Sequence, residues 1–489
     1  MQISPTDNIK TSFFYINDVH AQIPKLEKIA SASLQFDTYD DKSSDKLKVA
    51  SGDIFLGSDE SRNQAVAESL KAINLDAKTL GNHPFDSCVT QISKYIKDIP
   101  TKFLGMNLNL PENSALKNKL MRSTVIEKNG NKYGLIGIQP VDLNSRIKKK
   151  ENLEGITVDD KEQTFKELRE EVKQLQGQGV NKIVLLSHAG NEIEKEIAQQ
   201  IDGIDIIFGG HSHDLIKGIQ EGKNLFYSPD GSPVIITQAG KDGEHFGVLN
   251  VEFNQAGNIV KAQNNVYDTE NFPRNEFIRI KDDALMGETE DIGVLRSQDL
   301  PEDNMINENP LACFVADSMK NELGAEVAFV NAANCRGSLK PGKITNKEIT
   351  SVFPFPNKLY KIALSEKNLV EALSQCAKSV TAKNHKPGLM QVSGLEYTLS
   401  KNGELMSLNY IDSNNQKHPI DVKNPSETKT YVAIYDDFLY NGGDDMTCLK
   451  DQPIIEAYDF CKDKTTTDYV KKLNGEPFDL KNQGRIRFV

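Results

Sequence analysis

Along roughly the first 270 residues, short apolar runs alternate with longer stretches in which apolar positions recur every three or four residues. In "TFKELREEVKQL", Phe165, Leu168, Val172 and Leu175 fall on one stripe, which predicts a helix ending near Gly177 and Gly179. The run "KIVLLSHAG" that follows reads as a strand, "NEIEKEIAQQI" as a helix, and "DIIFGGHSHD" as a strand running into a loop. Two earlier segments, "SFFYINDVH" and "LKVASGDIF", repeat one device: an apolar strand stops and a residue able to bind metal stands just beyond it. The alternation predicts an α/β domain, in which the carboxyl ends of strands gather residues that lie far apart in sequence.

From about Tyr267 to Glu290 the chain turns polar, and "PRNEFIRIKDDAL" reads as a connector with some helix. Apolar runs then resume in "EVAFVNAANCRG", "KLYKIALS", "LVEALSQCAK", "LMQVSGLEYTLS" and "TYVAIYDDFLYNGGDD", the strands and helices of a second, smaller α/β domain. The expected division is residues 1–268, a connector over 269–292, and 293–489. A chain of 489 residues also exceeds what one compact core usually organises.

At 38% hydrophobic and 26% charged the composition is that of a soluble globular protein. No run approaches the ~18 apolar residues of a membrane helix. The opening "MQISPTDNIK" lacks an apolar signal core, so the protein is expected to be cytoplasmic, or exported with its signal already removed. A net charge of -12 argues against a nucleic-acid surface, and the basic run "RIKKKE" from Arg146 reads as a solvated loop. The six cysteines show no CxxC spacing, so neither a zinc knuckle nor a disulfide framework is expected.

The polar residues at the strand ends change this picture. They are Asp18 and His20 in "NDVHAQ", Asp53 in "SGDIF", Asn82 and His83 in "GNHPFD", His188 in "LSHAG", and His211 with His213 in "GGHSHD". Each alone is ordinary, because a lone histidine after a strand is usually structural and "GD" is often only a turn. Together they take five of the chain's eight histidines, always after an apolar strand. Mixed carboxylate, imidazole and amide oxygen donors suit Zn, Mn, Fe or Co. One aspartate could bridge two such ions roughly 3.5–4 Å apart, an arrangement suited to displacement at phosphorus.

The order D-x-H, GD, GNH, SH and GHxH resembles the calcineurin-like metallophosphoesterases, and "GNHPFD", "VSGLEYTL" and "NGGDD" together resemble their 5'-nucleotidase branch. The resemblance implies a four-layer α-β-β-α sandwich followed by a nucleotide-binding domain. It places one divalent metal on Asp18, His20, Asp53 and His213, and a second on Asp53, Asn82, His188 and His211. His83 would assist departure of the leaving oxygen while Asp86 orients it, and metal-bound water or hydroxide would attack phosphorus. The family has Glu where Pro84 stands.

In the second domain the resemblance assigns Phe355 of "FPFPNKLY" and Phe438 of "DDFLYNGGDD" to the two faces of a base, and Asp444 to the ribose hydroxyls. Read without the family, both phenylalanines sit in apolar runs and would be core. "NAANCRG" keeps Asn331 and Arg336 of the pattern N-x-G-G-I-R, but Ala333 and Asn334 replace its glycines, which suggests a loop of different shape. An arginine expected before "NENPLACF" is replaced by the acidic "PEDNMI". The implied substrate is a small-molecule nucleotide, most simply a nucleoside 5'-monophosphate, and the implied location is outside the cytoplasm. Alternatives are a cyclic-nucleotide, nucleotide-sugar or non-nucleotide phosphoesterase of the same fold, or an impaired binding protein.

Overall fold

A computed structural model describes residues 8–39, 44–147, 149–353 and 355–489. Residues 1–7 of the opening segment, Lys148 of the basic run and Pro354 of "FPFPNKLY" lie outside them. The chain forms two compact units, Met1–Glu288 and Thr289–Val489.

The first unit contains β1 (Ile9–Ile16), β2 (Ser44–Ser51), β3 (Ala77–Thr79), β4 (Lys102–Leu104), β5 (Leu120–Met121), β6 (Ser123–Lys128), β7 (Asn131–Ile138), β8 (Ile183–Ser187), β9 (Ile206–Phe208), β10 (Leu225–Tyr227), β11 (Pro233–Thr237), β12 (His245–Phe253) and β13 (Ile259–Asp268). One sheet has the order β13-β12-β1-β2-β3-β4-β5 and the other β10-β11-β9-β8-β7-β6. Their inner faces share a core in which Phe13, Leu47 and Val49 meet Tyr133, Val184 and Phe208. The outer face of the second sheet is covered by the helices Lys161–Gly177 and Asn191–Gln200. On the first sheet, Phe14 meets Phe36 of the helix Ile23–Thr38, and Lys48 Nζ donates to the Ile73 carbonyl of the helix Glu60–Ile73. This is the four-layer α-β-β-α sandwich.

The elements follow their patterns. Phe165, Leu168, Val172 and Leu175 are all buried on one face of the helix Lys161–Gly177, whose start is capped by Asp160 accepting from the Gln163 N–H. β8, "IVLLS", is buried throughout, as a parallel strand covered on both faces must be. Pairing is parallel at the centre of each sheet, with Ile16 opposite Ala50, Ser51 opposite Thr79 and Leu186 opposite Phe208. That register brings the strand ends to one level.

Within the stretch read as a connector, the helix Glu276–Met286 lies in the first unit. It buries Ile278 and Asp282, and its Lys281 pairs with Glu68 while Arg274 pairs with the buried Glu27. The basic run is not a plain loop: Leu143–Arg146 and Lys150–Leu153 form short helical turns that bury Ile147 and Leu153 and leave Arg146, Lys149 and Lys150 exposed. No helix among the described residues is long and apolar enough to cross a membrane.

One core residue defies its pattern. Lys78 on β3 is fully buried, its Nζ has no hydrogen-bond partner, and it lies 4.8 Å from the Phe55 ring centroid and 5.5 Å from that of Phe103. Burial pushes its ammonium from the ordinary 10.5 down to about 7, with only the Asp53 charge opposing. Between these values the unfolded chain holds a proton that the folded chain does not, so this group makes stability rise with pH. Below the folded value the full cost is present, on the order of 5 kcal/mol. Lys78→Met is therefore expected to raise the unfolding free energy, and more at pH ~6 than at pH ~9. Denaturant titrations at both pH values would check this, and equal gains would count against it.

The second unit centres on a five-stranded sheet ordered Met390–Ser393, Val327–Asn331, Thr430–Asp436, Lys358–Ser365, Ile454–Cys461. Along Val327–Asn331 the side chains alternate between two cores. Val327 and Phe329 face the one that includes the helix Glu366–Ala377, and Ala328 and Val330 face the one that includes Pro310–Leu323. Cys313, Cys335 and Cys376 are buried in the second unit.

Candidate metal centre and substrate loops

Side chains just past β1, β2, β3, β8 and β9 meet in one buried cluster. Ligand atoms of Asp18, His20 and His213 lie within 4.8 Å of one another, as do those of Asp53, His188 and His211. Between the two sets, His20 Nε2 is 3.8 Å from Asp18 Oδ1 and 3.9 Å from Asp53 Oδ2, so Asp53 reaches both. His213 Nε2 lies 3.4 Å from Asp18 Oδ1 and His188 Nε2 lies 2.9 Å from Asp53 Oδ2. Asn82 stands beside them: the N–H of its neighbour His83 donates to Asp53 Oδ1 at 2.9 Å, while Asn82 Oδ1 is buried with no protein partner.

The backbone is bent to achieve this. Asp18, His20, Asp53, His211 and His213 all take left-handed φ, between 49 and 74°. That conformation costs a non-glycine residue energy, and it clusters where function requires it. The glycines are equally specific. A Cβ on Gly52 would fall 2.3 Å from His188 Nδ1, and one on Gly81 would fall 2.2 Å from Asp53 Oδ1.

His83 opens a short helical turn, His83–Asp86, and its Nδ1 donates to Asp86 Oδ2 at 2.8 Å. That bond fixes the tautomer and leaves Nε2 for other work. Pro84 lies in the first turn of this element, where the missing N–H is no loss, so proline fits where the family pattern has glutamate. One ring nitrogen of His83 also lies within 4.8 Å of ligand atoms of His20 and Asp53, so geometry alone offers it as a ligand too.

The electrostatics describe a site built around positive charge. Burial pushes the Asp18 and Asp53 carboxyls up, but the imidazoles around them, His188 foremost, bring both below the usual range, Asp53 far below. Burial disfavours a charged His188, yet Asp53 and Asp18 outweigh it and lift the ring to about 9. Burial, His188 and Arg146 press His211 down to about 3, leaving a neutral imidazole. His188 Nδ1 donates to the Ser51 carbonyl at 2.6 Å, so its Nε2 faces a carboxylate oxygen. His20 Nε2 and Asn82 Oδ1 are buried without hydrogen-bond partners. Buried charge and orphaned polar atoms of this kind fit divalent cations.

Sequence reading missed the residues that orient the set. Asp242 accepts from His20 Nδ1 at 2.9 Å, and although burial raises its carboxyl, that bond and charge hold it at about 2. Asn17 donates to Asp18 Oδ2 and to the Gly240 carbonyl, both at 2.8 Å. Gln238 accepts from the Asp214 N–H at 3.1 Å and donates to the buried Glu194 at 3.0 Å, steadying the loop of His211 and His213. Asp242 carried a signal, since "VIITQAGKDG" repeats the pattern of an apolar strand followed by glycine and aspartate.

In the second unit, Asn331 Nδ2 donates to Asp444 Oδ2 at 2.9 Å, joining two of the expected substrate residues. Arg336 lies over the Phe355 ring, 5.9 Å from its centroid, and donates to the Ala333 carbonyl at 3.0 Å. Phe438 is half-buried against one core, under Gly443. The altered loop closes as a short helical turn, Ala332–Asn334, and neither Ala333 nor Asn334 takes a positive φ. Losing the glycines therefore demands no strained backbone there.

Residues 11–215 match the family model described as calcineurin-like phosphoesterase, and residues 286–451 match that of the 5'-nucleotidase C-terminal domain. The chain is 26% identical to the trifunctional nucleotide phosphoesterase protein YfkN of Bacillus subtilis, over 97% of this chain but only 34% of that longer protein. It is 26% identical to the 5'-nucleotidase of Homo sapiens, over 86% of this chain and 78% of that one. Among solved structures it is similar in fold to a 5'-nucleotidase precursor from Thermus thermophilus, with a TM-score of 0.71, 23% identity, and coverage of 98% and 99% of the two chains.

Proposed function

Because this chain belongs to the family that joins a calcineurin-like phosphoesterase domain to a 5'-nucleotidase C-terminal domain, we propose that it hydrolyses nucleoside 5'-monophosphates to nucleoside and phosphate. Membership makes it a hydrolase of phosphoesters; the nucleotide is the proposed part. In this reading Asp18, His20, Asp53 and His213 would hold one divalent ion, and Asp53, Asn82, His188 and His211 would hold a second. When bound, such ions lower the pKa of water and offset the charge that develops on phosphorus.

The chain's own groups do the rest. His83, held by Asp86 through Nδ1, presents Nε2 as the proton donor to the departing ribose oxygen. Asp242 and the Ser51 carbonyl hold His20 and His188 in the tautomers that direct their Nε2 atoms inward. Phe355 and Phe438 offer flat faces to a base, Asp444 accepts from ribose hydroxyls, and Arg336 supplies a planar cation for an anionic oxygen. The observation that carries the nucleotide reading is the Asn331–Asp444 contact, which ties two loops of the family pattern at one place in the second unit. The acidic "PEDNMI", whose Asp303 pairs with His385 at 2.8 Å, favours a monophosphate over substrates with more negative charge. Export belongs to the same proposal.

Phosphate release from AMP, other nucleoside monophosphates, 2',3'-cyclic nucleotides, nucleotide sugars and p-nitrophenyl phosphate tests this, using chelated protein with Mn, Zn or Co restored. Turnover highest with a 5'-monophosphate is expected. Turnover of another ester while all monophosphates are ignored would refute the nucleotide assignment.

A further inference from the structure

The second unit contains a buried ion pair outside the residues assigned so far. Asp436, at the end of the strand Thr430–Asp436, and Lys462 are 2% and 1% exposed as side chains, and Lys462 Nζ donates to Asp436 Oδ2 at 2.7 Å. The same oxygen accepts from Asn334 Nδ2 at 3.1 Å and from Asn357 Nδ2 at 3.4 Å. Its partner Oδ1 accepts from the Leu439 N–H at 3.2 Å, capping the turn Asp437–Tyr440.

Each donor comes from a different segment. Asn334 lies in the loop that carries Asn331 and Arg336, Asn357 follows Phe355, and the capped turn holds Phe438 and leads to Asp444. One carboxylate thus knots together the segments expected to hold a nucleoside. A buried ion pair is weak evidence for stability, since desolvation offsets most of its attraction, and its best-attested use is to fix one arrangement. Asn334 sharpens the point. A glycine, as in the family pattern, has no side chain to make this bond, so the substitution adds a tie rather than merely reshaping the loop.

We propose that Asp436, held by Lys462, is a positioning residue that fixes the relative placement of Arg336, Phe355, Phe438 and Asp444 and thereby sets the preference for nucleotides over other phosphate esters. The inference rests on the nucleotide reading above. Asp436 touches no reacting atom; it acts through the loops. Weakening it lowers binding of the nucleoside in ground state and transition state alike, which raises KM more than it lowers kcat.

The test compares AMP with p-nitrophenyl phosphate, an ester without a nucleoside, in metal-replete full-length protein. Asp436→Asn is expected to raise KM for AMP at least tenfold, with kcat changed less than threefold, and to lower the ratio of kcat/KM for AMP over that for p-nitrophenyl phosphate by a similar factor. Asn334→Ala removes one bond and leaves the ion pair intact, so it serves if the first variant fails to fold, with an expected KM rise of about threefold. A merely structural role would reduce the active fraction with both esters alike and leave KM and the ratio unchanged, which would overturn the proposal. If the wild-type protein shows no preference for AMP, the nucleotide reading falls and takes this inference with it. If the preference exists and both variants keep it, only the role of Asp436 falls.

Discussion

Asp53→Ala is expected to abolish metal-dependent phosphoester hydrolysis. Asp53 is the one carboxylate within reach of both His20 and His188, at 3.9 and 2.9 Å, that also accepts the His83 N–H. Losing an outer partner of a metal ligand typically costs about 10–100-fold in affinity or activity. Loss of a shared ligand should exceed that on both counts, with metal content falling below that of the wild-type protein by elemental analysis. Removing Asp53 also strips His188 and Lys78 of an opposing charge, so the variant's thermal unfolding is measured beside its metal content. Retained metal content together with wild-type turnover would show that Asp53 is not the bridge.

His83→Ala is the second large effect, and it separates two roles that geometry leaves side by side. As a proton donor held by Asp86, His83 should contribute roughly 10²–10⁴-fold to kcat, with metal content unchanged. Its loss should matter less for esters with good leaving groups, such as p-nitrophenyl phosphate, which need little help from an acid. One of its ring nitrogens lies within 4.8 Å of ligand atoms of His20 and Asp53, so a ligand role would appear differently, as lost metal and an equal loss with every ester. Measuring kcat for both esters beside metal content decides between them.

Much of this was legible because two periodicities and one recurring device carried it. The helical stripe of Phe165, Leu168, Val172 and Leu175 and the unbroken run of β8 each match what the fold buries. The metal-type residues were legible because parallel strands in register deliver their ends to one level, so a local signature after each strand became a shared site. Asp242 escaped because its aspartate stands without a histidine among glycines. Glu194 and Gln238 escaped for a different reason: they act on the loop of His211 and His213 from beneath, and nothing in a linear pattern shows which buried polar group faces which loop.

The second unit was harder to read. Its loops bear on one another through single side-chain bonds between residues that lie far apart in sequence, such as Asn331 with Asp444 and Asn334 with Asp436. The substitution of both glycines in "NAANCRG" suggested a distorted loop, since alanine tolerates a left-handed backbone poorly. The turn Ala332–Asn334 needs no such backbone. Lys78 shows the converse limit: a lysine in "AKTL" looks solvent-facing, yet it lies buried between Phe55 and Phe103 because β3 is an interior strand.

The most direct measurement is anomalous diffraction from crystals grown with Mn(II). The expected map has two peaks, one among Asp18, His20 and His213 and one among Asn82, His188 and His211, with Asp53 touching both. A map in which metal-replete crystals show no peak beside Asp53, or show ions only elsewhere in the chain, would contradict a dinuclear centre.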